Sequence, residues 1–311
     1  VLVLALDGYD ARRDRGAPTL ARYVCNYVPT WKGDEQDKGD DDYAGAPVTF
    51  EHMAGRAEGR PLLAFLKADV DRLGELFAFG LAKRDTASRV ATMSRTLDLF
   101  FSGWLPALME KRFPDCYSVY AGGDDLLIVG PWNEIIDLAD AVVADFRRLT
   151  RNPALTLSAG ILLAKPKYPI ARAATDADQL LDKAKDAGRD RVAMLGHVLT
   201  WDEWKQIRAV WEWLKPEADT IPTAFLYHLI SYARMWRRYK EKGDVMGLSV
   251  HPLIAYDVSR NVDAKATPRL HQFATGLTEW RPNDAEQQQT LASLGLIAEL
   301  LILGRRSAGD R

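Results

Sequence analysis

Apolar and polar positions change their period several times along the chain, and each change marks an element. Pro61–Asp69 (PLLAFLKAD) is a short, nearly continuous apolar run, which predicts a buried strand. Arg72–Ala82 then places Leu73, Leu76, Phe77 and Leu81 on helical spacing. A longer stripe, Val90, Met93, Leu97, Phe100, Phe101, Trp104 and Leu108, predicts an amphipathic helix that Gly103 and Pro106 bend or end. Tyr117–Ala121 and Leu126–Gly130 flank Gly122-Gly123-Asp124-Asp125, the pattern of a hairpin whose glycines accept positive φ. Asn133 is placed to cap a helix carrying Ile135, Ile136, Ala139, Val142, Val143, Phe146 and Leu149. Leu155–Leu163 reads as a strand, a helix runs through Leu180, Leu181 and Ala184, and Arg191–Leu195 is the last strand. This order is the ferredoxin-like (split βαβ) plan of an α+β fold, with helices expected over one face of an antiparallel sheet.

From Trp201 the strand signals fade. Trp204, Ile207, Trp211 and Leu214 form one helical stripe, Phe225, Leu226, Leu229, Tyr232, Ala233 and Trp236 another, and Leu291–Leu303 a third. Trp204, Trp211, Phe225 and Leu229 are expected in the core of a separate all-α domain. Near the other end, the acidic, glycine-bearing run Asp34–Asp42 predicts a solvated loop. The expected division is residues 1–47, a small N-terminal remnant plus this loop; 48–200, the α+β domain; and 201–311, the helical domain.

Composition then narrows the function classes. With 41 basic and 43 acidic side chains the net charge is −2, so bulk charge does not hold this chain to nucleic acid. Any such contact has to be local. Arg234, Arg237, Arg238 and Lys240, interleaved with Trp236 and Tyr239, are the candidate: a surface for RNA phosphates or an acidic partner, against the plainer reading of a solvated helix face. No apolar run approaches the roughly 20 residues of a membrane span. Two cysteines, Cys25 and Cys116, make no disulfide framework, so a cytoplasmic location is expected, and Cys116 reads as a small buried hydrophobe. The chain opens at Val1 in an apolar run, which reads as a fragment of something longer; loss of a few terminal residues is the alternative.

Four carboxylates carry the candidate chemistry: Asp69 and Asp71 at the end of the first strand, Asp124 and Asp125 at the hairpin turn. In a split βαβ sheet the first strand lies beside the hairpin, so the two ends meet. Like charges that close repel unless a cation intervenes, and oxygen-only ligands suit Mg²⁺ or Mn²⁺. Asp69 is the safer ligand, the Val70 carbonyl is available to an ion, and Asp71 is placed to cap the Arg72 helix. The amides from Asp71 through Leu73 to Gly74, near that helix start, suit a phosphate. Taken alone, Gly-Gly-Asp-Asp also fits a merely polar turn.

The segments Lys67–Gly74 (KADVDRLG), Tyr120–Leu126 (YAGGDDL) and Leu157–Ile161 (LSAGI), with Ser94-Arg95 before Phe100-Phe101, occur in an order that resembles the large palm-containing subunit of type III CRISPR effector complexes, of Csm type (III-A). Ala177–Lys185 followed by Gly188–Val192 is similar to the closing motif of GGDEF-type nucleotide cyclases, a related palm. The resemblance covers about Pro61 to Trp204. It implies a nucleotidyltransferase that polymerises ATP into cyclic oligoadenylate with two divalent ions, inside a complex with other subunits, crRNA and target RNA. Carried over by position, Asp69 and Asp124 hold metal, Asp125 assists, Ser94 contacts nucleotide, and Lys185 neutralises triphosphate charge; Gly122 and Gly123 belong to the nucleotide-binding turn. The family's HD nuclease is expected to be absent, because no histidine here is followed by Asp. Two other readings compete. One is a catalytically silent palm scaffold. The other is a GGDEF-like dinucleotide cyclase, weakened by Asp125-Leu126 in place of Glu-Phe.

Overall fold

The computed structural model describes residues 3–5, 19–21, 27–31, 45–76, 87–279, 281 and 283–305. The acidic run Asp34–Asp42, Cys25, and Phe77 and Leu81 of the Arg72 stripe lie outside them. The chain divides into two compact units, Val1–Ala57 with Pro61–Val198, and Glu58–Arg60 with Leu199–Arg311.

The first unit is built on a mixed sheet of β1 (Leu63–Val70), β2 (Tyr117–Gly122), β3 (Asp125–Pro131), β4 (Leu157–Ala164), β5 (Arg191–Met194) and β6 (His197–Thr200), in the spatial order β2-β3-β1-β4-β5-β6. Strand β1 is antiparallel to both neighbours, β3 and β4, as the split βαβ plan requires. Its helices are α1 (Phe50–Gly55), α2 (Ala87–Leu99), α3 (Leu105–Arg112), α4 (Trp132–Thr150) and α5 (Ile170–Asp186). Between α2 and α3 the chain passes through a π-helical segment, Phe100–Trp104, which contains Gly103, and Pro106 sits in the first turn of α3, so the α-helical pattern is interrupted there while the chain stays helical. Asn133 does not cap α4: the helix starts at Trp132 with Pro131 as its N-cap, so strand β3 runs directly into it.

Helices cover both faces of the sheet, not one. Alternate residues of β1 point opposite ways. Leu63 and Phe65 share a core with Met53 and Ala54 of α1 and Ala173 and Ala177 of α5. Leu66, Ala68, Leu126 and Ile128 are buried on the other face, beneath α4, whose Phe146 packs edge-on against Phe100 at 5.4 Å. The reason lies in the β4–β5 pair, which is parallel and therefore needs a crossover; α5 supplies it over the face opposite α4, beside α1.

Close approach of α5 to β4 depends on Gly160. A Cβ there would stand 2.4 Å from the Ala177 carbonyl oxygen and 2.5 Å from the Leu181 nitrogen, both backbone atoms that cannot rotate away. Gly160→Ala is therefore expected to destabilise this unit by about 2–3 kcal/mol, read as a lower urea midpoint.

A second stability lever is Glu134, in the first turn of α4. Burial pushes its carboxyl up to about 7, helped by the charge of Asp115 and opposed by a Cys116 thiol hydrogen bond. A raised acid means the folded state holds a proton that the unfolded chain has released between pH 4.5 and about 7. The stabilisation is complete below that window and lost on rising through it. Glu134→Gln is expected to raise the melting temperature at pH 8 and leave it unchanged at pH 4.5, a comparison that differential scanning calorimetry makes directly.

The second unit contains α6 (Trp201–Leu214), α7 (Thr223–Lys242), α8 (Val250–Asn261), α9 (Pro268–Thr278) and α10 (Ala285–Leu303). Thr200 and Glu203 form a reciprocal capping box that starts α6. Trp204, Trp211, Phe225 and Leu229 are buried, as expected. On α7, Arg234 and Arg238 are exposed but Arg237 is half-buried, and Arg238 pairs with Asp244 at 2.8 Å. The cationic face is thus smaller than its spacing suggests. No described helix is long and apolar enough to cross a membrane.

Candidate active site

The site forms where β1 ends. Period-two alternation carries Lys67 and Asp69 onto the face occupied further back by Phe65, and register sets Asp69 opposite Asp125 on β3 and Ser158 on β4. At the hairpin, Gly123 adopts φ +71°, which allows the turn to fold tightly. The Val70 amide donates to the Asp124 carbonyl at 2.9 Å, pinning the turn to the strand end. The two carboxylate-bearing ends meet as the sheet order demands.

Lysines already answer the crowding of charge. Lys185 Nζ lies 2.7 Å from Asp69 Oδ2, and Lys67 Nζ lies 2.8 Å from Asp125 Oδ2. Burial raises the pKa of Asp69; Lys185 pulls it down, and Asp124 and Asp125 push it further up. For Lys67 burial works downward, but the hydrogen bonds to Asp125 and Tyr120 outweigh it and the net direction is up.

Beside the turn opens a cleft of about 540 Å³, lined among others by Leu73, Gly74, Ser94, Asp98, Gly123 and Asp124. That size lies within the roughly 300–1,000 Å³ of small-ligand sites. Leu73 and Gly74 belong to the single helical turn Leu73–Glu75, whose first amides have no intrahelical acceptor. Five residues expected to bind nucleotide or metal thus share one cavity. Asp125 is not among its lining residues, and Lys185 lies on the Asp69 side.

Asp71 is used differently from the sequence expectation. The residue before the Leu73 turn is Arg72, in the left-handed region at φ 56° and without a side-chain cap. Asp71 instead turns inward and is buried. Its carboxylate accepts from the Thr156 hydroxyl (2.7 Å), the Ser158 hydroxyl (2.7 Å) and the Asp190 amide (3.0 Å), while its own amide donates to the Thr156 carbonyl. It is neither a cap nor a free phosphate amide, but a tie joining β1, β4 and the loop after α5. Asp190, at φ 50°, is held in turn by both oxygens to Arg147 Nη2 at 3.0 Å.

Sequence reasoning missed these partners, and also Lys67 and Tyr120 on Asp125. Lys67 was legible: it stands two residues before Asp69 and so shares its face. Among the described residues no three His, Cys, Asp or Glu side chains converge on a common ion position. Asp69 and Asp125 are cross-strand neighbours, and Asp124 looks into the cleft.

Residues 62–193 match the family model for Cas10/Cmr2, second palm domain. A Thermococcus onnurineus protein described as the CRISPR system single-strand-specific deoxyribonuclease Cas10/Csm1 (subtype III-A) is 36% identical over 216 residues, covering 62% of this chain and 27% of its own. The crystal structure of Csm1 from the same organism superimposes with a TM-score of 0.73 at 26% identity, covering 98% of this chain and 45% of that one. A Csm1–Csm4 cassette in complex with pppApApA gives a TM-score of 0.68 at 26% identity over 97% of this chain and 44% of that one. The chain spans about a quarter of the curated relative's length, at 27%, and under half of each solved chain.

Proposed function

We propose, from the match of residues 62–193 to the Cas10/Cmr2 second palm domain, that this chain carries the catalytic palm and helical domain of a type III-A nucleotidyltransferase subunit. The reading is that it converts ATP to cyclic oligoadenylate when its complex binds target RNA. The observation that carries it is the meeting of Asp69 with Asp125 across β1–β3, with Asp124 facing the cleft that Ser94 lines. A related cassette holds pppApApA, a linear triphosphorylated adenylate, which is the species ATP polymerisation produces before ring closure.

In the reaction the 3′-hydroxyl oxygen of one ATP bonds to the α-phosphorus of another, the bond to pyrophosphate breaks, and the hydroxyl proton is released. Asp69 and Asp124, with the Val70 carbonyl at the strand end, would hold Mg²⁺ or Mn²⁺, and Asp125 would assist by orienting them from β3 rather than by ligating. Only oxygen donors are offered, and the clustered acids already draw two lysines, so the set fits a divalent ion completed by water and phosphate. Bound there, two ions supply neutralisation of the attacking oxygen and the leaving pyrophosphate. Ser94 and Leu73 position the nucleotide in the cleft, and the turn amides of Leu73 and Gly74 receive phosphate oxygens. Gly122 and Gly123 keep the turn free of side chains. Lys185, freed from Asp69, neutralises the triphosphate. One palm holds one ATP, so a second palm has to supply the other nucleotide.

Residues 48–200 act as the palm, 201–311 as the helical domain, and the working location is the cytoplasm. Other subunits of the complex, crRNA and target RNA are its partners, with Arg234 and Arg238 as one local cationic contact. The decisive test is product analysis of the purified complex given ATP and target RNA. Cyclic adenylates support the reading; metal-dependent ATP binding without product points to a scaffold, and products from GTP alone to a dinucleotide cyclase.

A further inference from the structure

Asp124 and Asp125 are adjacent and chemically identical, yet the fold puts them to different uses. Asp124 lines the cleft. Asp125 opens β3 opposite Asp69, so its side chain stands over the sheet face that carries Lys67. There its Oδ2 accepts from Lys67 Nζ at 2.8 Å and from the Tyr120 hydroxyl at 3.4 Å. The Tyr120 ring also lies 4.7 Å from the Lys67 ammonium, and the two polar ends are hydrogen-bonded. The Lys67 side chain is only 12% exposed. The stem lies along β1 while the ammonium is held between the Asp125 carboxylate and the Tyr120 hydroxyl, so its charge is fixed where Asp125 can meet it.

We propose that Lys67 is a positioning residue for the transfer reaction: it holds Asp125 on the sheet face, neutralises it, and leaves Asp69 and Asp124 as the acids that take the divalent cation. This rests on the function proposed above. Without Lys67 a cation is drawn by three carboxylates instead of two and loses a repelling charge close by. It binds more tightly, and in a ligand set that includes Asp125. A tighter ion in the wrong set is a poorer catalyst, so affinity and turnover move in opposite directions.

The test is Mn²⁺ titration of the full-length subunit followed by electron paramagnetic resonance, alongside ATP turnover by the assembled complex. Lys67→Met keeps the apolar stem and removes the charge; it is expected to bind Mn²⁺ about tenfold more tightly, as removal of one like charge near a divalent ion implies, with turnover reduced at saturating metal. Lys67→Arg keeps the charge and is expected to keep the wild-type Mn²⁺ affinity. Unchanged or weaker Mn²⁺ binding by a folded Lys67→Met overturns the proposal. If that variant does not fold, Tyr120→Phe removes one hydrogen bond to the same oxygen and is expected to tighten Mn²⁺ about threefold; no change there overturns it equally. The two failures are separable. A wild-type complex that binds Mn²⁺ but makes no adenylate product refutes the proposed function and leaves the comparison of Mn²⁺ affinities intact.

Discussion

Asp69→Asn is expected to lower cyclic oligoadenylate formation by the assembled complex at least about a thousandfold, the scale on which loss of a preorganised charge at a reacting phosphate is felt. Asp69 sits on the central strand between the hairpin and β4, so its main chain is fixed by ladders on both sides. An amide fills the same space but cannot neutralise a divalent cation. Its removal also relieves a charge that burial and the neighbouring Asp124 and Asp125 disfavour, which protects the fold. Lys185 loses its partner, but at 28% exposure its ammonium can turn to solvent. The double replacement Asp124→Ala with Asp125→Ala is a less clean experiment. It removes the carboxylate that Lys67 pairs with at 2.8 Å, so lost activity there mixes catalysis with stability. The measurement is chromatographic separation of products from ATP with target RNA, with complex assembly checked by size. Wild-type rates from Asp69→Asn would remove the carboxylate from the mechanism.

Much of this site was legible because it depends on local pattern. A period of two along Lys67–Asp69 fixes which residues share a face, and a glycine pair between two apolar runs fixes a hairpin. What was not legible depends on distance along the chain. Asp69 and Asp71 look alike in sequence, two residues apart and each following an apolar residue. Only the fold shows that the strand ends at Val70 and that Asp71 turns inward to meet Thr156 and Ser158, 85 and 87 residues further on. The second covered face of the sheet escaped for a similar reason. Nothing local to α5 says which side of β4 it crosses; that follows from the parallel pairing of β4 with β5. Helices α8 and α9 were missed because they are short and broken by exposed polar positions, so their apolar stripes are brief.

The largest effect on stability is expected at Asp71. Asp71→Ala leaves two hydroxyls and one amide, all directed inward, without their acceptor. Hydrogen bonds to a charged group are worth about 1.5–3 kcal/mol each, and the orphaned donors partly re-pair, so a loss of about 3–5 kcal/mol is expected. Asp71→Asn should fall between this and wild type. Its carbonyl oxygen still accepts, and the Thr156 and Ser158 hydroxyls can rotate to accept from its NH₂, but the charge is gone. These numbers separate a buried tie from a helix cap, because at a cap Asn is as good as Asp and Asp71→Asn would cost nothing. A double-mutant cycle sharpens the distinction. Thr156→Val removes the hydroxyl that donates to Asp71 Oδ2 and keeps the shape. Combined with Asp71→Asn it should show a coupling energy of about 1 kcal/mol by urea denaturation, whereas a cap has no connection to β4 and gives none. Zero coupling would leave the Asp71–Thr156 contact without energetic weight and return Asp71 to its local turn.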